Sequence, residues 1–337
     1  MRNYLLVVLI GTVSFAACLT RHASRQEAAL LPGTESGKWW IINTILQDSY
    51  GKDVHFNSLI SIDKTGRKNY TACFVSAWSE RDSTYYAATR ISQDTGIKYR
   101  NNFPVRISFP AVDSSGIEWS LLFKRNTIQL LSSFSNKKTN KAGGYTELVS
   151  VFRKQDPFAV SVISSLPQAW AVNPIIATSK MKGDLYAAGK DEKLCIRVFA
   201  NKEVLLKKSS GAYVHWLDLS LQSGKQLGVL FTTDANGGIT TDAVLLWDEQ
   251  GEIMAKPPLF LQQLYIDSVP AASLSRPYPL YFSVVIPSEQ INLKLQPRMA
   301  GQEITANRSS CWMGAVEATD SSSGRRAGKG NMYIFKQ

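Results

Sequence analysis

Histidine and cysteine are scarce in this chain. Its 337 residues include three histidines and four cysteines. His22, His55 and His215 are too scattered to give ligand spacing, so no metal site can be read from the sequence. Cys18, Cys73, Cys195 and Cys311 lie far apart with no CxxC pair; the last three read as buried thiols rather than as a disulfide framework or metal set. Acidic residues are also in deficit, with 27 Asp and Glu against 38 Lys and Arg and a formal net charge of +11. A basic balance can serve nucleic acid or anionic lipid. Here the dense basic runs, NKKTNK (136–141) and GRRAGKG (324–330), lie in polar Gly, Ser and Asn surroundings without interleaved aromatics, which argues against a nucleic-acid groove. A GxSxG elbow, HExxH, GxxxxGK[ST] and GxGxxG are all absent, so hydrolase, zinc-protease and nucleotide-binding readings have no residues to rest on. Sustained 3.6-residue periodicity is missing too, and helix should be minor.

The long apolar run that does exist is at the start. Residues 1–17 hold one charge, Arg2, then LLVVLIGTVSF, then small residues leading to Cys18. This is the pattern of an export signal, too short to span a bilayer comfortably. FAAC is similar to a bacterial lipobox, although Phe15 stands where leucine is usual, and cleavage there would leave Cys18 lipidated. Residues 18–37 then form a lipidated tether, and the expected location is the bacterial cell envelope, anchored to a membrane and facing the periplasm or the surface.

From residue 38 onward, short apolar runs alternate with turn chemistry, the signature of antiparallel β-structure. WWIINTIL, DVHFNSLISI and NYTACFVSAW are separated by QDSYGK and DKTGRK and make a meander. In the second run Val54, Phe56, Ser58, Ile60 and Ile62 share one face while His55, Asn57, Leu59 and Ser61 share the other, so one side reads as core and the other as mixed. The chain is too long for one core, and two domains are expected. Three prolines in QDPFAVSVISSLPQAWAVNP (155–174) mark a linker, which sets an N-terminal barrel at 38–165 and a C-terminal one at 166–337. WIINTILQDSYGK at 40 and WLDLSLQSGK at 216 echo each other, which implies similar halves. The fold expected is all-β, two tandem antiparallel barrels whose closure removes sheet edges.

RPYPLYFSVVIP (276–287), INLKLQP (291–297), QE (302–303), CWMGAVEATD (311–320) and GKGNMYIF (328–335) follow in an order that resembles the AttH and carotenoid-hydratase (hydroxyneurosporene synthase) family of lipocalin-like proteins. KWWIINTILQDSYGK and HWLDLSLQSGKQLGVLF are similar to the Trp-led strands of its two halves. The resemblance covers roughly residues 37–335. It implies two lipocalin-like barrels, an apolar ligand such as a polyene or other lipid, and in enzymatic members addition of water to a carbon–carbon double bond. Protonating an alkene needs an acid and aromatic faces to stabilise the cation. Several positions depart from the family. Asn201, Lys202 and Val204 stand where an Asp-His-x-Trp or Asp-Arg-x-Trp segment is expected, Met313 replaces a glutamate, and Tyr333 stands near the last family glutamate; Glu303 matches.

The expected function is accordingly binding of a hydrophobic small molecule, a lipid or isoprenoid, by an exported lipoprotein. The alternatives are a hydratase or isomerase acting on a carotenoid-like double bond and a protein interaction module. Ligand-binding candidates are Trp40, Trp216, Tyr278, Trp312 and Met313; catalytic candidates are His215 and Glu303; Cys18 is the lipidation site. No metal or cofactor is expected. His215 and Trp216 are neighbours on a strand and face opposite sides, with surface the expectation for His215. His55 is expected at the surface or in a polar lumen, and Asp218 and Glu317 outward.

Overall fold

In the computed structural model, alternating apolar and polar runs become strands throughout. The structure describes residues 38–336 except the connecting stretches 66–67, 94–97, 101–104, 110–116, 124–126, 136–144, 154–159, 163–168, 184, 186, 200–212, 235, 250–252, 256–258, 270–275, 300 and 307–308. The first sheet contains β1 (Lys38–Gln47), β2 (Asp53–Thr65), β3 (Lys68–Ser79), β4 (Thr84–Gln93), β5 (Lys98–Arg100), β6 (Val105–Phe109), β7 (Glu118–Phe123), β8 (Thr127–Ser135), β9 (Tyr145–Arg153), β10 (Val160–Val162), β11 (Ala169–Gly183) and β12 (Ala187–Phe199). The second contains β13 (Tyr213–Leu221), β14 (Gln226–Thr233), β15 (Ile239–Trp247), β16 (Ile253–Ala255), β17 (Phe260–Val269), β18 (Arg276–Ile286), β19 (Ile291–Pro297), β20 (Glu303–Ala306), β21 (Ser309–Asp320) and β22 (Arg326–Lys336). Among the described residues the one helical element is a 3₁₀ turn at Pro287–Glu289. No helix there is long and apolar enough to cross a membrane.

The two sheets are two nearly closed, lipocalin-like antiparallel barrels in tandem, built to one plan. The first runs β4-β3-β2-β1-β12-β11-β9-β8-β7-β6-β5 and the second β16-β15-β14-β13-β22-β21-β19-β18-β17, with β10 on β11 and β20 on β21 as side pairs. In each, the opening strand lies between its hairpin partner and the last strand of its own half. The echo between residues 40 and 216 thus falls on β1 and β13, which hold the same place in their sheets. Their hairpin turns match as well. Gly51 at φ 72° and Gly224 at φ 82° supply the left-handed backbone that a β-carbon would strain, and each donates its N–H back across the turn, to Asp48 and Leu221 respectively.

The change of barrel falls between residues 199 and 213 rather than at 165. Strands β11 and β12 belong to the first sheet, β12 pairing with β1 from Trp39↔Phe199 to Thr44↔Leu194. The proline-rich stretch expected to be a linker leads into β11 instead. Pro174 lies where the β11–β12 register shifts, between Val172 and Ile175, and an irregularity of this kind is where a strand tolerates a residue without an N–H.

The barrels pack face to face through the outer sides of their opening strands. Ile41, Leu59 and Phe74 of the first meet Trp216, Leu230 and Trp247 of the second in one buried cluster. The close fit needs Gly228 beneath the two indoles: a β-carbon there would come within 2.9 Å of Trp247 and 3.2 Å of Trp216. The mixed face of β2 is therefore an inter-barrel surface, and both faces of that strand are buried over residues 53–61. His55, at 1% exposure, is neither on the surface nor in a lumen, contrary to the sequence expectation.

Polar groups in this layer answer one another across it. Asp218 Oδ2 accepts from Trp216 Nε1 at 2.7 Å and from Asn43 Nδ2 at 2.9 Å. His55 Nδ1 lies 3.1 Å from Asn331 Oδ1, where it must be the donor because an amide oxygen only accepts. Tyr333 donates to Asn57 Oδ1 at 2.7 Å. Around the rim, Arg298 pairs with Glu80 and Glu317, and Arg326 and Lys329 with Asp53. Burial pushes the Asp53 carboxyl up, but Lys329 and Arg326 outweigh it and hold the group below its ordinary value. Asp218 and Glu317 do face away from the second lumen, as expected, although Asp218 is buried against the first barrel.

Candidate functional site

Strand β13 carries two programmes on alternate residues. Val214, Trp216 and Asp218 point to the inter-barrel layer, while Leu217, Leu219 and Leu221 point into the second barrel with Phe231, Phe282 and Trp312. His215 follows the second set. It is fully buried, stacked on Phe231 with ring centroids 4.3 Å apart and planes 2° from parallel, and edge-on to Phe282 at 5.4 Å. The surface position expected for it is overturned. The physical reason is that β13 is buried on both sides, so a polar residue on it has no solvent face to occupy.

One nitrogen of His215, Nε2, lies 2.9 Å from Thr233 Oγ1. The other, Nδ1, has no hydrogen-bond partner among the described residues. Burial among apolar groups pulls the imidazole down to about 3, so it is neutral through the physiological range.

Three further groups extend the site. The ring of Tyr213 lies 6.3 Å from His215 and 5.9 Å from Tyr278. Tyr278, fully buried, donates its hydroxyl to Glu303 Oε1 at 2.6 Å. Glu303 stands opposite Trp312 in the β20–β21 register, and directly paired residues share a face, which turns the carboxylate toward the lumen. An imidazole and a phenol–carboxylate pair thus share a barrel interior whose described lining is mainly apolar, joined by Tyr213.

His215, Tyr278, Glu303 and Trp312 were among the candidates named from the sequence, with His215 expected at the surface and Glu303 at the barrel rim. Two other candidates go elsewhere. Trp216 and Met313 are buried between the barrels, Met313 with its carbonyl accepting from Tyr85 at 3.1 Å. The side chains of Trp39 and Trp40, together with Cys18, His22, Asn201, Lys202 and Val204, lie outside the described residues. Tyr213, Phe231, Thr233 and Phe282 were missed, although the same alternation that separates His215 from Trp216 places Tyr213 beside His215. Cys73 and Cys311 are buried free thiols, as expected, and burial raises Cys73 to about 12. Among the described residues no cluster of His, Cys, Asp and Glu could hold a metal ion.

Strand β20 reaches its position through a break. Between β19 and β20 the side chain of Gln302 is fully buried, donates to the Met299 carbonyl at 2.7 Å and accepts from the Ala315 N–H at 2.9 Å. Its amide stands in for ladder bonds lost at the break, and Gly314 leaves it room, since a β-carbon there would fall 2.4 Å from the amide carbon. Glu303 is the next residue, so this plug fixes where the carboxylate enters the lumen.

No family model matches the sequence, and no curated protein sequence matches it. Solved structures do. An AttH candidate from Nitrosomonas europaea superposes with a TM-score of 0.59 at 13% identity, over 94% of this chain and 97% of that one. Kievitone hydratase from Nectria haematococca gives a TM-score of 0.54 at 12% identity, over 94% and 96%. At these identities the likeness is one of fold, and it extends across both barrels.

Proposed function

We propose that this chain is an exported, lipid-anchored binding protein of the AttH and carotenoid-hydratase kind, whose second barrel receives an apolar molecule with a polar end. The observation that carries the reading is the composition of that lumen: hydrocarbon and aromatic walls with Tyr213, His215, Tyr278 and Glu303 gathered as its polar group. A ligand site of this type buries the body of the ligand against apolar walls and fixes its orientation with a few polar atoms. Export and anchoring rest on residues 1–18, where the apolar stretch leads to Cys18; a single acyl-bearing cysteine with its diacylglycerol would hold the barrels at a membrane.

A second reading, hydration or isomerisation of an isoprenoid double bond, is favoured by one specific feature. Glu303 and Tyr278 face the lumen as a donor–acceptor pair, and His215 lies in the same interior, so acid and base groups are within one apolar enclosure. Fold kinship with a hydratase supports this reading only as analogy.

The deciding experiment is extraction of the purified protein with organic solvent followed by mass spectrometry. A binder yields a stoichiometric lipid or isoprenoid. Turnover of an acyclic polyene, abolished by Glu303→Gln or His215→Ala, would establish the second reading instead.

A further inference from the structure

We propose that His215 Nδ1 is the docking point for a hydroxyl group, so that the second barrel selects neutral apolar alcohols over carboxylic acids of the same length. This rests on the binding reading above and adds the chemical class of the ligand. Three features of the lumen converge on it.

The first is the open nitrogen. A buried polar atom without a partner is destabilising, and native interiors seldom leave one so. The two buried histidines differ in this respect. His55 Nδ1 is met by Asn331 across the inter-barrel layer, whereas among the described residues His215 has a partner at Nε2 and none at Nδ1. The plane of the ring is set by its stack on Phe231 and by the edge of Phe282.

The second is tautomer logic. A neutral imidazole donates from one nitrogen and accepts at the other. If Nε2 donates to Thr233, Nδ1 is an acceptor and needs a donor; if the Thr233 hydroxyl donates to Nε2, Nδ1 carries the proton and needs an acceptor. A hydroxyl satisfies both cases. A carboxylate satisfies only the second.

The third is charge. The imidazole stays neutral at physiological pH, so it offers an acid no counter-ion. Among the described side chains the ionisable partner nearby is Glu303, which is itself acidic and already accepts the Tyr278 hydroxyl. Among the described side chains, a ligand carboxylate would meet a like charge and no cation in this apolar interior, an arrangement that burial penalises heavily. The cations of the second barrel described above, Arg298, Arg326 and Lys329, are committed on the outer side to Asp53, Glu80 and Glu317.

The test titrates the full chain with a long-chain alkanol, the alkanoic acid of equal length and the corresponding alkane, following ring-nitrogen resonances of protein labelled in histidine. With three histidines in the sequence, the signals are few enough to assign. Expected is binding of the alkanol about tenfold tighter than the acid, the gain of one well-placed hydrogen bond, with a shift of the His215 Nδ1 resonance that the alkane does not produce. His215→Phe, which keeps a flat ring between Phe231 and Phe282, should bind the alkanol and alkane alike. Equal binding of alcohol and acid, or an unmoved Nδ1 resonance at saturation, overturns the hydroxyl assignment while leaving the binding reading intact. If none of the three binds, the binding reading fails and the assignment with it.

Discussion

Two buried regions of this protein hold histidines, and they solve the same problem in opposite ways. Between the barrels, His55, Asn43, Asn57, Asp218, Asn331 and Tyr333 are distributed over both sheets and complete one another's hydrogen bonds. Inside the second barrel, His215 stands among apolar and aromatic side chains with one nitrogen unanswered among the described residues. A polar network that closes on itself specifies how two pieces fit; a polar atom left open in an apolar interior is a place for something else. Burial alone does not distinguish them, since both are out of water. Satisfaction does.

Acid titration should give the largest effect and weigh both regions together. Burial pulls His55 down to about 4, with Lys329 and Arg298 adding to it against Asn331 and Asp53, and pulls His215 to about 3. Unfolded histidines take up protons near pH 6.5. As pH falls from about 6.5 to 4, the unfolded state binds protons that the folded state refuses, and stability drops by up to about 1.4 kcal/mol per pH unit for each histidine. Asp53, held below its ordinary value by Lys329 and Arg326, adds to the loss once pH falls below its unfolded value near 3.8. Denaturant unfolding across that range should show the slope, with His215→Phe removing one share and leaving that of His55.

Asp218→Leu comes next. It strands the Trp216 indole N–H and the Asn43 amide in a buried layer, and about 3 kcal/mol of stability should be lost. Because Asn43 and Asp218 share one bond, Asn43→Leu in the same chain should add less than its separate cost, as read from denaturant midpoints.

The smallest effect is expected inside the second barrel. His215→Phe keeps the stacked geometry and removes an unpaired nitrogen, so stability should stay within about 1 kcal/mol of the parent. A loss near that of Asp218→Leu would erase the distinction between the two regions.

Much of the architecture was legible. Period-two runs and Gly-bearing turns give the strands, and the echo between residues 40 and 216 marks the two opening strands. The barrel boundary was not, because closure is a long-range act. Strand β12 pairs with β1 across most of the first half, and no local signal announces it. The candidate site was legible by parity and illegible by side. Alternation separates His215 from Trp216, yet every residue of β14 and nearly all of β13 is buried, so the solvent contrast that normally tells the inside of a barrel from its outside is missing. Trp216 and Met313 were drawn to the lumen by their motifs and sit in the second core that the docking of the barrels creates.

That docking has a bearing on how the chain reaches its native state. Synthesis releases β1–β3 well before β13 or β22 exists, and Ile41, Leu59 and Phe74 then stand beside His55 and Asn57 as an adhesive half-surface with its counterpart still unmade. The first barrel can close on its own hydrogen bonds, but its outer wall is finished only when Asn331 and Tyr333 arrive. During that interval the nascent protein is exposed to wrong partners, including the same wall of a sibling chain, and a companion that shields β1–β3 would protect it.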